Sequence, residues 1–145
     1  MAESTLRPAT EKDASAIRRL IHEVGINPMD LDWQRFVVAV DSSGTMLGCG
    51  QLKPHGKDII ELASIAVEPG FRSRGIARAI IEHLLGKASR PVYLTCRSGL
   101  ESFYTNWGFR VIGFDEMPAY FRRLARLANV MGLLINERLL VMKLM

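Results

Sequence analysis

The stretch ELASIAVEPGFRSRGIA, residues 61–77, constrains the fold more than any other part of the chain. An apolar run stops at Pro69 and Gly70, passes through Arg72, Ser73, Arg74 and Gly75, and re-forms at Ile76. From there Ile76, Ile80 and Leu84, and beside them Ala77, Ile81 and Leu85, recur at i, i+4. The pattern predicts a strand, a tight connection, and a helix buried on one face that starts near Ser73 and stops at Gly86. The first four N–H groups of such a helix lack intrahelical partners, and its dipole makes that end partly positive. Gly75 removes a side chain there, while Arg72 and Arg74 add charge. Two readings stay open from these residues: a cradle suited to a pyrophosphate, and a basic helix start facing water.

The rest of the chain supplies the elements around this junction. Thr5 to Arg7 reads as a short first strand. Thr10 with Asp13 resembles a capping box, so a helix should begin at Glu11, carry Ala14, Ile17, Leu20, Ile21 and Val24 on one face, and end at Gly25. RFVVAV (35–40) and TMLGCGQLK (45–53) read as strands joined by the hairpin DSSG (41–44). Gly48 and Gly50 in the second permit a bulge or a close backbone approach. PHGK (54–57) is a turn, and DIIELASIAV (58–67) is the strand leading into the junction. PVYLTC (91–96) suits a central strand, SGLESFYTNW (98–107) a helix stopped by Gly108, and FRVIGF (109–114) another strand. A long helix over 118–134 and a strand over 137–145 close the chain. The sum is one layered α+β domain over residues 1–145, with about seven strands and four helices.

The chain has 145 residues, enough for one domain with a real core, and no apolar stretch nears the ~20 residues needed to span a bilayer. MAESTLRPATEKD lacks the pattern of a signal peptide, and Cys49 and Cys96 match no metal-ligand spacing, so the expectation is a cytoplasmic protein with free, buried thiols, no metal and no membrane partner. The net charge of +4 favours anionic partners. No G-x-x-x-x-G-K-[ST], H-E-x-x-H or G-x-S-x-G is present, and GCG at 48–50 lacks the third glycine of a dinucleotide fingerprint. The three histidines, His22, His55 and His83, are scattered and read as surface or core-edge residues.

VEPGFRSRGIA resembles the acetyl-CoA-binding signature of the GCN5-related N-acetyltransferase (GNAT) superfamily, V-x-P-x-x-[QR]-x-x-G-x-[GA], with Val67, Pro69, Arg72, Gly75 and Ala77 in the defining places. FYTNWGF (103–109) is similar to that family's second signature, an aromatic–Tyr pair followed by Gly-Phe. Both motifs occur in order with a strand between them, and the element order agrees, so the resemblance covers nearly the whole chain. It implies a mostly antiparallel, twisted sheet with a splayed central pair of strands, and an acetyl group passed directly from acetyl-CoA to a primary amine. It implies that the amides of Arg72, Ser73, Arg74, Gly75, Ile76 and Ala77 bind the pyrophosphate, and that the backbone of Ile65, Ala66 and Val67 pairs with the pantetheine arm and positions the thioester. Tyr104 would protonate the departing thiolate; its other reading is a core aromatic. Glu61 lies eleven residues before Arg72, where the histone-acetylating branch places its general base. The alternative for Glu61 is a strand-end carboxylate paired with an arginine or lysine.

The chain also departs from the family. Many members carry asparagine seven residues before the tyrosine, where this chain has Arg97. Arg97 suits a substrate carboxylate or a CoA phosphate, or stands as a surface arginine. Cys96 beside it reads as a small core residue near the cofactor, since direct transfer needs no nucleophile. The helix over 118–134 bears Arg122, Arg123 and Arg126 on one side and Phe121, Leu124, Ala125, Leu127, Ala128 and Met131 on another. Three uses are open for it: covering the acceptor site, a homodimer contact, or packing on the sheet. EMPAYF resembles amino-acid acetyltransferases of the N-acetylglutamate synthase type, which tilts the acceptor toward a small acidic amine. Residues 25–33, with Asn27 and Trp33 as substrate-binding candidates, should border the amine. Two rival functions are a non-catalytic acyl-CoA sensor on the same fold, which would keep the cradle without turnover, and a nucleic-acid-binding module using the three arginines. The second is disfavoured because only Tyr120 and Phe121 could stack on bases, and helical packing accounts for both.

Overall fold

The computed structural model describes residues 4–131 and 138–145. In chain order the elements are β1 (Thr5–Pro8), α1 (Ala14–Val24), β2 (Phe36–Val40), β3 (Met46–His55), β4 (Ile59–Val67), α2 (Ile76–Lys87), β5 (Val92–Arg97), α3 (Glu101–Thr105), β6 (Arg110–Val111), α4 (Ala119–Met131) and β7 (Leu139–Leu144). The seven described strands form one sheet in the order β1-β2-β3-β4-β5-β7-β6. The β4–β5 pairing is parallel, while β1–β2, β2–β3, β5–β7 and β6–β7 are antiparallel. This is the expected α+β fold. The chain divides into two compact units, Met1–Lys53 with Leu62–Ala88, and Pro54–Glu61 with Ser89–Met145.

In the first unit the entry to α1 is fixed electrostatically. The Asp13 carboxylate accepts the Thr10 N–H at 2.7 Å and a two-pronged contact from Arg7 at 2.8 and 3.1 Å. A 3₁₀ turn over Glu11–Asp13 precedes the helix, and Gly25, at φ +82°, ends it. Ile17, Leu20 and Ile21 are buried against Phe36, Val38, Val40 and Cys49. Neighbouring residues of a strand face opposite ways, so Gly48 and Gly50 present bare backbone to the other face, where α2 lies. A Cβ on Gly50 would stand 2.6 Å from Ile65 Cδ1 and 2.7 Å from Ile80 Cγ2. A close approach is therefore realised at both glycines, and a bulge adjoins the first: Ala39 pairs with Gly48 and Val40 with Met46, which leaves Leu47 of β3 as the extra residue.

In the second unit β5 lies between β4 and β7, as its apolar sequence suggested. It pairs with β7 along its whole length, from Val92↔Leu144 to Arg97↔Leu139. With β4 it pairs only at Ile60↔Val92 and Glu61↔Tyr93, although β4 continues to Val67. Tyr93, Ile112, Phe121 and Val141 form a buried cluster with Ile59, Met117 and Tyr120 packed on it.

Several boundaries differ from expectation. β3 runs through Pro54 to His55, because the turn waits for Gly56 at φ +74°. α2 runs through Gly86 to Lys87 and stops where Ala88 turns extended. The expected strand over 109–114 shortens to Arg110–Val111: Ile112 still donates to the Val141 carbonyl, but Phe114–Glu116 then coils into a 3₁₀ turn. The 132–134 end of the expected last helix and Glu137 of the expected last strand lie outside the described residues. No helix among the described residues is long and apolar enough to cross a membrane.

Two outcomes follow. Gly50→Ala should destabilise the protein by about 1–3 kcal/mol through overpacking, read as a lower urea midpoint with an unchanged m-value. The Asp13 carboxyl is held down to about 2, first by the Arg7 hydrogen bond. A lowered carboxylate pKa stabilises the fold above the unfolded value of about 4 and loses that contribution as pH falls through about 2. Asp13→Asn should therefore cost on the order of 1 kcal/mol at pH 7, and the gap from wild type in thermal melts should close below pH 2.

Candidate functional site

Within the first unit, β4 changes character half-way. Ser64 sits in the left-handed region at φ +61°, a reversal inside the strand that non-glycine residues rarely adopt. Two β3 side chains hold this kink: Gln51 Nε2 donates to Ser64 Oγ at 2.9 Å, and Cys49 Sγ lies 3.6 Å from the Ser64 carbonyl oxygen. Gln51 is fully buried, and its Oε1 has no hydrogen-bond partner among the described residues. The sequence reading missed Gln51 and Ser64; a lone glutamine within the apolar return strand was the available signal.

After Val67 the Glu68 N–H bonds the Leu47 carbonyl, and a 3₁₀ turn over Pro69–Phe71 leads into Arg72. Ser73 at φ +63° and Gly75 at φ +82° are both left-handed. These reversals use up residues expected to be helical, so α2 begins at Ile76 instead of near Ser73, with Gly75 as its N-cap. Among the described residues no side chain caps the helix, and nothing lies within 4 Å of where a Gly75 Cβ would be. Arg72, Ser73, Arg74 and Gly75 are exposed, Ile76 is buried and Ala77 half-buried, and the Arg74 guanidinium rests 5.2 Å above the Phe71 ring. Uncapped amides, open space and two arginines at a helix N-terminus are the chemistry that holds a phosphate-type anion.

The segment before β2 is pinned by β3. Lys53, only 2% exposed, donates to the Met29 carbonyl at 3.1 Å, and Gln51 Nε2 reaches the Asp30 carbonyl at 3.3 Å. Arg35 binds the Asp30 carboxylate at 2.6 Å. Asn27 is exposed, with Oδ1 accepting the Met29 N–H, whereas Trp33 packs half-buried against the α1 side of the core.

In the second unit Tyr104 is buried on α3, edge-on to Phe103 and Phe109 and near Trp107. Burial, and then the neighbouring Cys96, push its phenol up to about 12. Glu61, 5% exposed, is paired with a group the sequence did not single out: its Oε1 lies 2.7 Å from His55 Nε2. His55 and Glu61 flank the β3–β4 turn, and their meeting depends on hairpin register that composition does not reveal. The His55 ring stacks on Tyr120 with centroids 3.7 Å apart. Arg97 is exposed at the end of β5.

On α4, Arg122 donates to the Phe114 and Asp115 carbonyls, and Arg122 and Arg126 flank the Phe114 ring. Phe121 is fully buried, but Leu127, expected on the apolar face, is 51% exposed. The side chain of Met131 lies outside the described residues. Among the described residues no three His, Cys, Asp or Glu side chains gather as a metal ion would require.

Cys96 is a core residue, with Sγ 3.8 Å from Met142 Sδ. Burial, and then the charge of Glu101, push its thiol to about 11; burial pushes Cys49 to about 12. Neither forms thiolate near neutral pH, so neither is poised as a nucleophile. Ellman's reagent should find no fast-reacting thiol in the native protein and both thiols after unfolding.

Comparison with known proteins places this geometry. A family model described as an acetyltransferase (GNAT) domain matches residues 32–111, more than half of the chain. Solved structures share the fold. N-acetylglutamate synthase from Neisseria gonorrhoeae, complexed with coenzyme A and L-arginine, superposes with a TM-score of 0.75 at 21% identity, over 97% of this chain and 33% of that one. Rv2747 from Mycobacterium tuberculosis, in complex with CoA, gives 0.74 at 24% identity, over 97% and 99%. Escherichia coli ElaA gives 0.69 at 14% identity, over 99% of each. The chain thus spans 33% of the length of the synthase and nearly all of the other two. With the family model matched from before β2 to the end of β6, the chain belongs to the GNAT acetyltransferase family.

Proposed function

We propose that the chain acts as a single N-acetyltransferase domain that moves an acetyl group from acetyl-CoA to the primary amine of a small molecule, of the amino-acid class. The observation that carries this reading is the junction of β4 and α2, where left-handed Ser73 and Gly75 leave uncapped amides beneath open space. Acetyl-CoA, when bound, supplies a thioester whose carbonyl carbon is the electrophile.

The residues of this chain then divide the work. The amides of Arg72, Ser73, Arg74, Gly75, Ile76 and Ala77 bind the pyrophosphate, with the two arginines adding charge. The backbone of Ile65, Ala66 and Val67, beyond the Ser64 kink, pairs with the pantetheine arm. The register of β4 on β5 ends at Glu61, which supports a strand edge kept for that pairing. Tyr104 donates its proton to the departing thiolate; with a phenol pushed up to about 12 it stays protonated through the physiological range. Glu61 is the carboxylate behind deprotonation of the amine, which arrives as an ammonium. Arg97 supplies a fork for a substrate carboxylate or a CoA phosphate, and Asn27 and Trp33 border the acceptor. The likeness to an N-acetylglutamate synthase crystallised with CoA and N-acetyl-glutamate supports an amino acid as that acceptor.

Calorimetry should detect acetyl-CoA binding, and a panel of amino acids, polyamines and peptides should include at least one that drives release of CoA thiol. Binding without release for every amine would mark an acyl-CoA sensor instead. Tyr104→Phe should keep acetyl-CoA affinity and lower kcat by about a hundredfold; an unchanged kcat removes Tyr104 from the mechanism.

A further inference from the structure

The carboxylate assigned to the amine is not alone. Glu61 and His55 face each other across the turn between β3 and β4, with 2.7 Å between Oε1 and Nε2. The carboxylate is the more enclosed partner: side-chain exposure is 7% for Glu61 and 14% for His55. Tyr120 lies parallel to the imidazole at 3.7 Å and 20°, and Phe121 meets it edge-on at 5.8 Å, so the ring plane is held from two directions. A carboxylate can only accept, which places a proton on Nε2 and leaves the neutral ring's lone pair on Nδ1. No hydrogen bond to Nδ1 occurs among the described residues.

This is the arrangement in which a carboxylate orients a histidine base, fixing its tautomer and stabilising the imidazolium that forms. Resting on the acetyltransferase reading, we infer that His55 takes the proton from the acceptor and that Glu61 acts through it. Nδ1 accepts one proton from the ammonium: an N–H bond breaks, its electron pair stays on the amine nitrogen, and a new N–H bond forms on His55. That amine attacks the thioester, the C–N bond forms and the C–S bond breaks. The second proton lost by the amine nitrogen replaces the one Tyr104 gives to the thiolate. The proton on His55 leaves to water, and acetyl-CoA and ammonium become amide, CoA thiol and one released proton.

The test combines a structural and a kinetic readout. In the wild-type protein, nitrogen-15 NMR should show neutral His55 as the Nε2–H tautomer; an Nδ1–H tautomer overturns the dyad. With the best amine of the panel, His55→Gln, which can still bond Glu61 and pack on Tyr120, should lower kcat about a hundredfold or more while acetyl-CoA affinity stays. His55→Ala should lose as much and regain rate with added imidazole, a rescue that a purely structural histidine would not give. Glu61→Gln should cost less than His55→Ala, and the double variant no more than His55→Ala. If Glu61→Gln abolishes turnover while His55→Gln leaves it intact, Glu61 is itself the base; the dyad falls and the acetyltransferase reading stands. A wild-type protein silent with every amine overturns both.

Discussion

The site depends on one strand that does not keep a single partner or a single pleat. At its start β4 pairs with β5 through Ile60 and Glu61, and that register then ends. Three residues later Ser64 flips into the left-handed region, held by Gln51 and Cys49 of β3. A left-handed non-glycine residue inside a strand costs on the order of 1–2 kcal/mol. The hydrogen bond to fully buried Gln51 offsets part of that cost, and the burial of Ala66 and Val67 adds to it. The rest follows along the chain, because the strand end sets where Pro69–Phe71 turns and where the amides of α2 emerge.

Charge is distributed unevenly around this frame. Arg7, Arg19, Arg35 and Arg110 are matched to Asp13, Glu68, Asp30 and Glu116. Exposed pairs of this kind contribute little each, generally below about 1 kcal/mol. Arg72 and Arg74 join no ion pair among the described residues. The +4 excess thus includes two cations flanking the uncapped helix start, where the macrodipole has the same sign.

The fold and the strand–turn–helix junction were legible in the sequence because both rest on local signals. Hydrophobic spacing marks α1 and α2, valine content marks β2, and Pro69, Gly70 and Gly75 punctuate the junction. What it concealed depends on register and on left-handed backbone. Ser73 carries no mark of its positive φ, so the helix start came three residues early, at Ser73 instead of Ile76. FRVIGF has the composition of a full strand, yet only Arg110 and Val111 find ladder partners before the chain turns. His55 looked incidental because its partner lies across a hairpin, and neither strand's composition says which residues face each other. Leu127 fits the helical stripe but is left in solvent, a distinction set by what packs on α4 and not by its period.

The pinning of the segment before β2 has a consequence of another kind. Lys53 and Gln51 grip it through the carbonyls of Met29 and Asp30, atoms that every residue type presents alike. Met29 itself points its side chain outward, 68% exposed. The grip on this segment is therefore indifferent to the side chain at Met29. That residue can be exchanged while the backbone path stays, so a lineage of such chains can vary what it presents at this loop without rebuilding the core beneath it.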